Sequence, residues 1–113
     1  MATIVMADDD KHFLSVVAKF LTHAGHAVET ARNGEEALML IGAVKPQLCV
    51  LDVALPLVTG DEIARSIDQP VLFVSGRDLD RVAEFQGPRF RFVQKPADLD
   101  EILAHVEALL GGG

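Results

Sequence analysis

Residues Leu48 to Leu51 are apolar without a break, and Asp52 follows them directly. A strand that is apolar at every position has both faces buried, as in a parallel sheet covered by helices on two sides. The rest of the chain supplies the elements such a sheet needs. Short strand patterns lie at Ile4 to Met6, Ala27 to Thr30, Val71 to Val74 and Arg89 to Val93. Helical stripes separate them. Phe13, Val16, Val17, Phe20, Leu21 and Ala24 follow the i, i+3, i+4, i+7 rule, and Gly25 ends that stripe. Ala37, Leu38, Ile41 and Val44 form a second, with Asn33 as its cap and Pro46 beyond its end. Thr59 and Glu62 have capping-box spacing before a short third helix, which must stop before Pro70. Leu79 to Phe85 offer a weak fourth helix, broken by Gly87-Pro88. Leu99, Ile102, Leu103, Val106, Leu109 and Leu110 share one face of the last, where Asp98 and Glu101 make an acidic version of the capping box.

Five strands alternating with five helices imply a parallel sheet wrapped on both faces. The second strand is comparatively polar and the fifth alternates, as edge strands do. The order 2-1-3-4-5 satisfies this and is that of the flavodoxin-like doubly wound (βα)5 fold, with shortened third and fourth helices here. The 113 residues suit one domain, taken as residues 1–110 with a flexible glycine tail at 111–113. Half the residues are apolar, which excludes a disordered chain. The net charge of -7 argues against direct nucleic-acid binding. No apolar run approaches the roughly 20 residues that span a bilayer, and no secretory signal opens the chain. The single cysteine, Cys49, is expected to be a buried, inert thiol. Together these features lead us to expect a cytoplasmic protein that does not associate with membranes.

Ligands in open parallel sheets bind beyond the carboxyl ends of the strands, near the switch in strand order. Asp8 and Asp9 follow the first strand, Asp52 the third, Ser75 ends the fourth and Lys95 follows the fifth. One rim thus gathers three carboxylates, a hydroxyl and an amine. Two carboxylates 4 Å apart repel by on the order of 4 kcal/mol at an effective dielectric of 20. A divalent cation would relieve this, and hard oxygen ligands without a His or Cys cluster favour magnesium or calcium over zinc. A metal on one side and Lys95 on the other would neutralise a phosphoryl group in transfer, with Ser75 donating to a further oxygen. Asp52 lies between them in strand order, which makes it the best candidate for a covalent phosphate carrier.

The chain resembles the response-regulator receiver, or CheY-like, family over nearly its whole length. The resemblance rests on MADDD at the first strand end, LDVALP around Asp52, TGDE after it, FVSG at the fourth strand end and FVQKP at the fifth. It implies that Asp52 is the phosphoacceptor and that Mg2+ is the cofactor. It implies Asp9, Asp52 and the backbone carbonyl of Ala54 as direct metal ligands, with Asp8 acting through water. Ser75 and Lys95 would bind the phosphoryl group. Ser75 and Phe92 would be the switch pair, and the bond before Pro96 would be cis. The donor would be a sensor histidine kinase or a histidine phosphotransfer protein, and the recipient a downstream effector or a fused output domain. The domain would assist its own phosphorylation and dephosphorylation without being a turnover enzyme.

Some residues depart from the family pattern or have plainer readings. Phe92 lacks the hydroxyl a tyrosine would offer, and an ordinary core position competes with its switch role. The stretches from Asp52 to Ser75 and from Ser75 to Lys95 are short. Gly76 and Ala54 are small, which leaves the site open to small phosphodonors, and Arg77 is near enough to tune phosphate lifetime. Asp10 reads as a helix-start acid, Thr59 and Gly60 as cap and turn, and His12 as a surface residue. Arg77, Arg81, Arg89 and Arg91 read as solvated side chains, with a basic partner surface as the alternative. A phosphorylation-independent interaction module on the same fold is the competing function. A flavin carrier is excluded by three aspartates where a phosphate cradle should lie and by the absence of Trp and Tyr.

Overall fold

A computed structural model describes residues 2–111. The chain runs β1 (Thr3–Ala7), α1 (Lys11–His23), β2 (Ala27–Ala31), α2 (Gly34–Val44), β3 (Leu48–Leu51), α3 (Gly60–Ser66), β4 (Val71–Ser75), β5 (Phe90–Gln94) and α4 (Leu99–Leu109). All four strand pairings are parallel, in the order β2-β1-β3-β4-β5. The expected doubly wound sheet is therefore present. Four α-helices flank it. Where a fourth crossover helix was expected at Leu79 to Phe85, only a 3₁₀ turn at Leu79–Val82 forms. Of the expected glycine tail, residues 112 and 113 lie outside the described residues.

Strand alternation divides the core in two. Ile4, Met6, Leu48, Val50, Leu72 and Val74 point to one face and pack with Leu14, Val17 and Leu21 of α1 and Ile102 and Val106 of α4. Val5, Ala7, Cys49, Leu51, Val71 and Phe73 point to the other and pack with Ala37 and Ile41 of α2 and Ile63 of α3. The three central strands are buried along nearly their full length, because helices cover both sides. Burial pushes the Cys49 thiol up to about 12, which leaves it an inert core residue. Edge strand β2 is exposed at three of its five residues. No helix among the described residues is long and apolar enough to cross a membrane.

Local chemistry starts and stops these helices. Asp10 caps α1, its carboxylate accepting from the Phe13 N–H at 3.1 Å. Asn33 caps α2 through the Glu36 N–H at 2.8 Å. At α3 the Glu62 carboxylate accepts from the Thr59 N–H and hydroxyl at 3.1 and 2.8 Å. Asp98 occupies the N-cap of α4 but makes no side-chain cap bond, so the acidic box expected there does not close. The loop after β3 is pinned against α2. The Gly34 N–H donates to the Pro56 carbonyl, and a Cβ at Gly34 would strike the Val58 backbone.

The missing fourth helix is replaced by an ionic bracket. Asp61, buried in the first turn of α3, accepts from Arg65 at 3.2 Å and from Arg81 at 3.4 Å. Arg65 also pairs with Glu84 at 2.7 Å. Arg81 and Glu84 belong to the segment after β4, so the network ties that segment to α3. Val82 and Phe85 add apolar anchors in the core. Three of the four arginines in the last part of the chain have partners. Arg81 joins the bracket, Arg89 donates to the Ile67 and Gln69 carbonyls, and Arg91 meets His105.

Burial alone would push the Asp61 carboxyl up, but local hydrogen bonds and the Arg81 and Arg65 guanidiniums hold it below the usual carboxylate value. A depressed folded-state value means the carboxylate stabilises the fold above its unfolded pKa, and that this is lost as pH falls through the folded one. Asp61→Asn is expected to cost about 1 kcal/mol at pH 7, because both arginines are nearly half exposed and solvent screens them. Urea denaturation should show the gap between variant and wild type closing as pH falls below about 4. A pH-independent gap would contradict this account.

Candidate phosphoacceptor site

Parallel register carries the polar residues to one rim. Ala7 pairs with Leu51, so Asp8 and Asp52 leave adjacent strands at the same level. Ser75 pairs with Gln94, so Lys95 emerges beside it, and the Lys95 N–H donates to the Ser75 carbonyl at 3.0 Å. The rim lies at the switch in strand order between β1 and β3, from which α1 and α3 depart to opposite faces.

Asp8, Asp9 and Asp52 each present a carboxylate oxygen within 4.8 Å of the others. Asp8 and Asp52 are buried and Asp9 is exposed. The Lys95 ammonium donates to Asp8 Oδ2 at 2.8 Å and to Asp52 Oδ2 at 3.4 Å. The Ala54 N–H donates to Asp52 Oδ1 at 3.1 Å. Ser75, fully buried, has its Oγ 2.7 Å from Asp52 Oδ1 and 2.9 Å from the Arg77 carbonyl. Its one proton can serve only one of these acceptors at a time. The Lys95-Pro96 bond is cis, as the resemblance implied. All five polar side chains expected at the strand ends thus meet. Asp10, as expected, is a cap and not a member of the cluster.

Charge in the site is not balanced by protein groups alone. Burial pushes the Asp8 carboxyl up, and the nearby Asp52 charge adds to this, although Lys95 and the Asp10 N–H pull it down. Burial pulls the Lys95 ammonium down, but the Asp8 hydrogen bond and the Asp8 and Asp52 charges outweigh it and hold Lys95 above its usual value. The two directions say different things about the Asp8–Lys95 pair. Lys95 gains from it, yet Asp8 remains short of compensation because the cost of burying the carboxylate is larger. Three carboxylates against one ammonium leave a formal charge of about -2, and a neighbouring carboxylate pair repels by about 3–4 kcal/mol. An all-oxygen donor set with this charge fits a magnesium ion.

Around this centre the structure places residues whose roles the sequence did not reveal. Gly60 approaches so closely that a Cβ would meet the Asp52 carbonyl, which keeps the β3–α3 loop against the phosphoacceptor candidate. Its position in TGDE had read only as a turn. Phe13 had read as one member of a core stripe, yet its ring faces the Lys95 ammonium at 4.3 Å from the centroid. Helical spacing carries no mark of such a contact. Phe92 stacks on Phe73 at 5.6 Å but is 39% exposed, so the ordinary core reading does not hold for it. Asp9 also lines an open cleft of about 550 Å³ with Arg32, Asn33, Glu36, Pro56 and Leu57. Through this cleft the Asp9 end of the cluster meets solvent.

The comparisons with known proteins agree with the geometry. The family model of the response regulator receiver domain matches residues 4–107. The response regulator MprA of Mycolicibacterium vanbaalenii is 36% identical over 114 residues, covering 95% of this chain and 49% of its own. That of Mycobacterium tuberculosis is 35% identical, with 95% and 50% covered. The chain therefore spans about half the length of these curated relatives. Among solved structures, the chemotaxis protein CheY4 of Vibrio cholerae superposes with a TM-score of 0.85 at 22% identity, covering 96% of this chain and 98% of its own. The signal receiver domain of a signal transduction histidine kinase from Syntrophus aciditrophicus gives 0.87 at 25% identity, with 99% and 92% covered.

A ligand that binds only the folded state stabilises it by about 2.7 kcal/mol at a hundredfold excess over its dissociation constant. Magnesium at that excess is expected to raise the thermal midpoint of the wild type. Asp9→Asn removes an exposed candidate ligand and is expected to leave the metal-free midpoint nearly unchanged while abolishing the magnesium-dependent rise. An equal rise in both proteins, followed by calorimetry, would remove Asp9 from the metal site.

Proposed function

This chain belongs to the response regulator receiver domain family, and on that premise we propose that Asp52 accepts a phosphoryl group from a phosphohistidine donor. The observation that carries this reading is the position of the Asp52 carboxylate, which shares the Lys95 ammonium with Asp8, lies within 4.8 Å of Asp8 and Asp9, and is within reach of the Ser75 hydroxyl. Asp52 Oδ1 already meets the Ala54 N–H and Ser75, whereas Oδ2 has only the 3.4 Å Lys95 contact. Oδ2 is thus the less encumbered oxygen for attack.

In transfer, a bond forms between Asp52 and phosphorus as the phosphorus–nitrogen bond breaks. The electron pair of that bond stays on the imidazole of the donor. Lys95 neutralises charge on one phosphoryl oxygen, and Ser75 turns its proton to another. Asp9, Asp52 and the Ala54 carbonyl would hold the magnesium ion directly, with Asp8 acting through water. The bound ion supplies neutralisation and alignment of the phosphoryl oxygens. The domain itself assists gain and loss of the phosphate, and its purpose is the switched state, not turnover. The aspartyl phosphate carries about -1.5 to -2 in place of the carboxylate's -1, so the rim gains at most about one negative charge. Ser75 would follow the phosphoryl group, and the exposed Phe92 ring would turn inward, changing the face formed by the segment after β4, β5 and α4. A sensor histidine kinase or a histidine phosphotransfer protein supplies the phosphate. An effector protein or an output domain of the same chain reads the change.

Incubation with acetyl phosphate and magnesium, read by intact-protein mass, is expected to add one phosphoryl group to the wild type and none to Asp52→Asn. Equal incorporation in the two would refute the assignment. Arg77 follows the switch serine by two residues and is exposed, and it screens the phosphoryl group from water in this reading. Arg77→Ala should therefore shorten the lifetime of the phosphorylated protein in a decay assay. Equal decay rates would end that role for Arg77.

A further inference from the structure

The Lys95 ammonium carries three protons. Two directions are taken by Asp8 Oδ2 at 2.8 Å and Asp52 Oδ2 at 3.4 Å. The Phe13 ring lies on a further side, with Nζ 4.3 Å from its centroid. A ring face attracts a cation through its quadrupole, more strongly as water is withdrawn. Phe13 is half-buried, and the Lys95 side chain is only 22% exposed, so the contact is largely shielded. Its placement is not accidental to the local chain. Asp10 caps α1 by binding the Phe13 N–H itself, which fixes the first turn that presents the ring.

We propose that Phe13 is a positioning residue for Lys95, holding the ammonium over Asp8 and Asp52 through the face of its ring and keeping water from the remaining proton. Its consequence for phosphoryl transfer rests on the phosphoacceptor reading of Asp52, but its effect on the ammonium does not. The plain alternative is that Phe13 only packs against the core cluster of α1, β1 and α4, where its ring also makes contact. An aliphatic side chain, or a ring of reversed polarity, would then serve as well.

Phe13→pentafluorophenylalanine separates the two, because it keeps the shape of the ring and reverses its quadrupole. Phe13→Tyr keeps both, and Phe13→Leu removes the ring. The first readout is proton exchange of the Lys95 ammonium with water, followed by 15N NMR without magnesium. The second is the rate of Asp52 labelling by acetyl phosphate with magnesium. Phe13→Tyr should stay within about twofold of wild type in both, while the fluorinated and leucine variants exchange faster and label more slowly by about fivefold. Wild-type exchange in a fluorinated variant of unchanged thermal midpoint would overturn the proposal. Should the leucine variant fail to fold, the tyrosine and fluorinated pair still decides it. Should no protein take label, the phosphoacceptor reading fails, and the exchange rates alone settle the role of Phe13.

Discussion

Like charge at the carboxyl rim of the sheet is the constraint around which the rest is arranged. Asp8 and Asp52 are buried side by side, and Asp9 lies within 4.8 Å of both. Left alone, such a group would protonate, separate or unfold the strands that bear it. Three features keep it assembled. Backbone pairing fixes the ends of β1 and β3 at one level, with the Asp52 N–H bound to the Ala7 carbonyl. Lys95 inserts one positive charge from the far side of β4. The Ala54 N–H and the Asp10 N–H each donate to a carboxylate. These contacts reduce the repulsion without cancelling it. The remaining charge is what a divalent cation would offset in the proposed phosphoacceptor role.

Such a site demands a rigid support, and the sheet supplies it unevenly. On the side of β1 and β3, helices cover both faces and the strands are sealed. The β3–α3 loop is locked by close backbone contacts at Gly34 and Gly60. Past β4 the support thins. Asp78 adopts a left-handed conformation without being glycine, and one 3₁₀ turn takes the place of a crossover helix. Side-chain charges then do what helical packing does elsewhere, with Asp61 drawing Arg81 toward α3. The half of the site that binds is held by the backbone, and the half that leads to the surface is held by ion pairs and a few apolar anchors.

The sequence disclosed the first half more fully than the second. Asp8, Asp9, Asp52, Ser75 and Lys95 were legible because each lies at or just past the end of a strand pattern, and parallel topology carries every such end to one rim. Strand order was legible because edge strands are polar or alternating while central ones are not. The bracket of Asp61, Arg65 and Arg81 was not legible. It joins residues 20 apart through a segment with little periodicity, and Asp61 sits where a first-turn acid is unremarkable on a solvated helix. Burial decides its meaning, and burial of one residue is not a property of its neighbours in sequence. The open cap at Asp98 has a related cause, because spacing permits a capping bond without enforcing the rotamer that makes it. Phe92 was ambiguous because alternation in β5 assigns a face but not how fully that face is covered.

Ser75 joins the two halves. Its hydroxyl stands between a carboxylate of the sealed side and the Arg77 carbonyl of the thin side, with one proton for two acceptors. Donation to Asp52 leaves the Arg77 carbonyl without that proton, and donation to Arg77 leaves the carboxylate oxygen less satisfied. The carboxylate is the nearer and the charged acceptor, so a change at Asp52 is what would redirect this proton. A phosphoryl group on Asp52 would draw the hydroxyl to its own charged oxygens, which are stronger acceptors than a carbonyl. The displaced serine would then change its contact with the Arg77 carbonyl, at the start of the segment that ion pairs hold to α3. The way that segment is held fits the switching role proposed for it. A full helix there would resist the change, whereas a short turn tied by partly exposed charges yields at low cost.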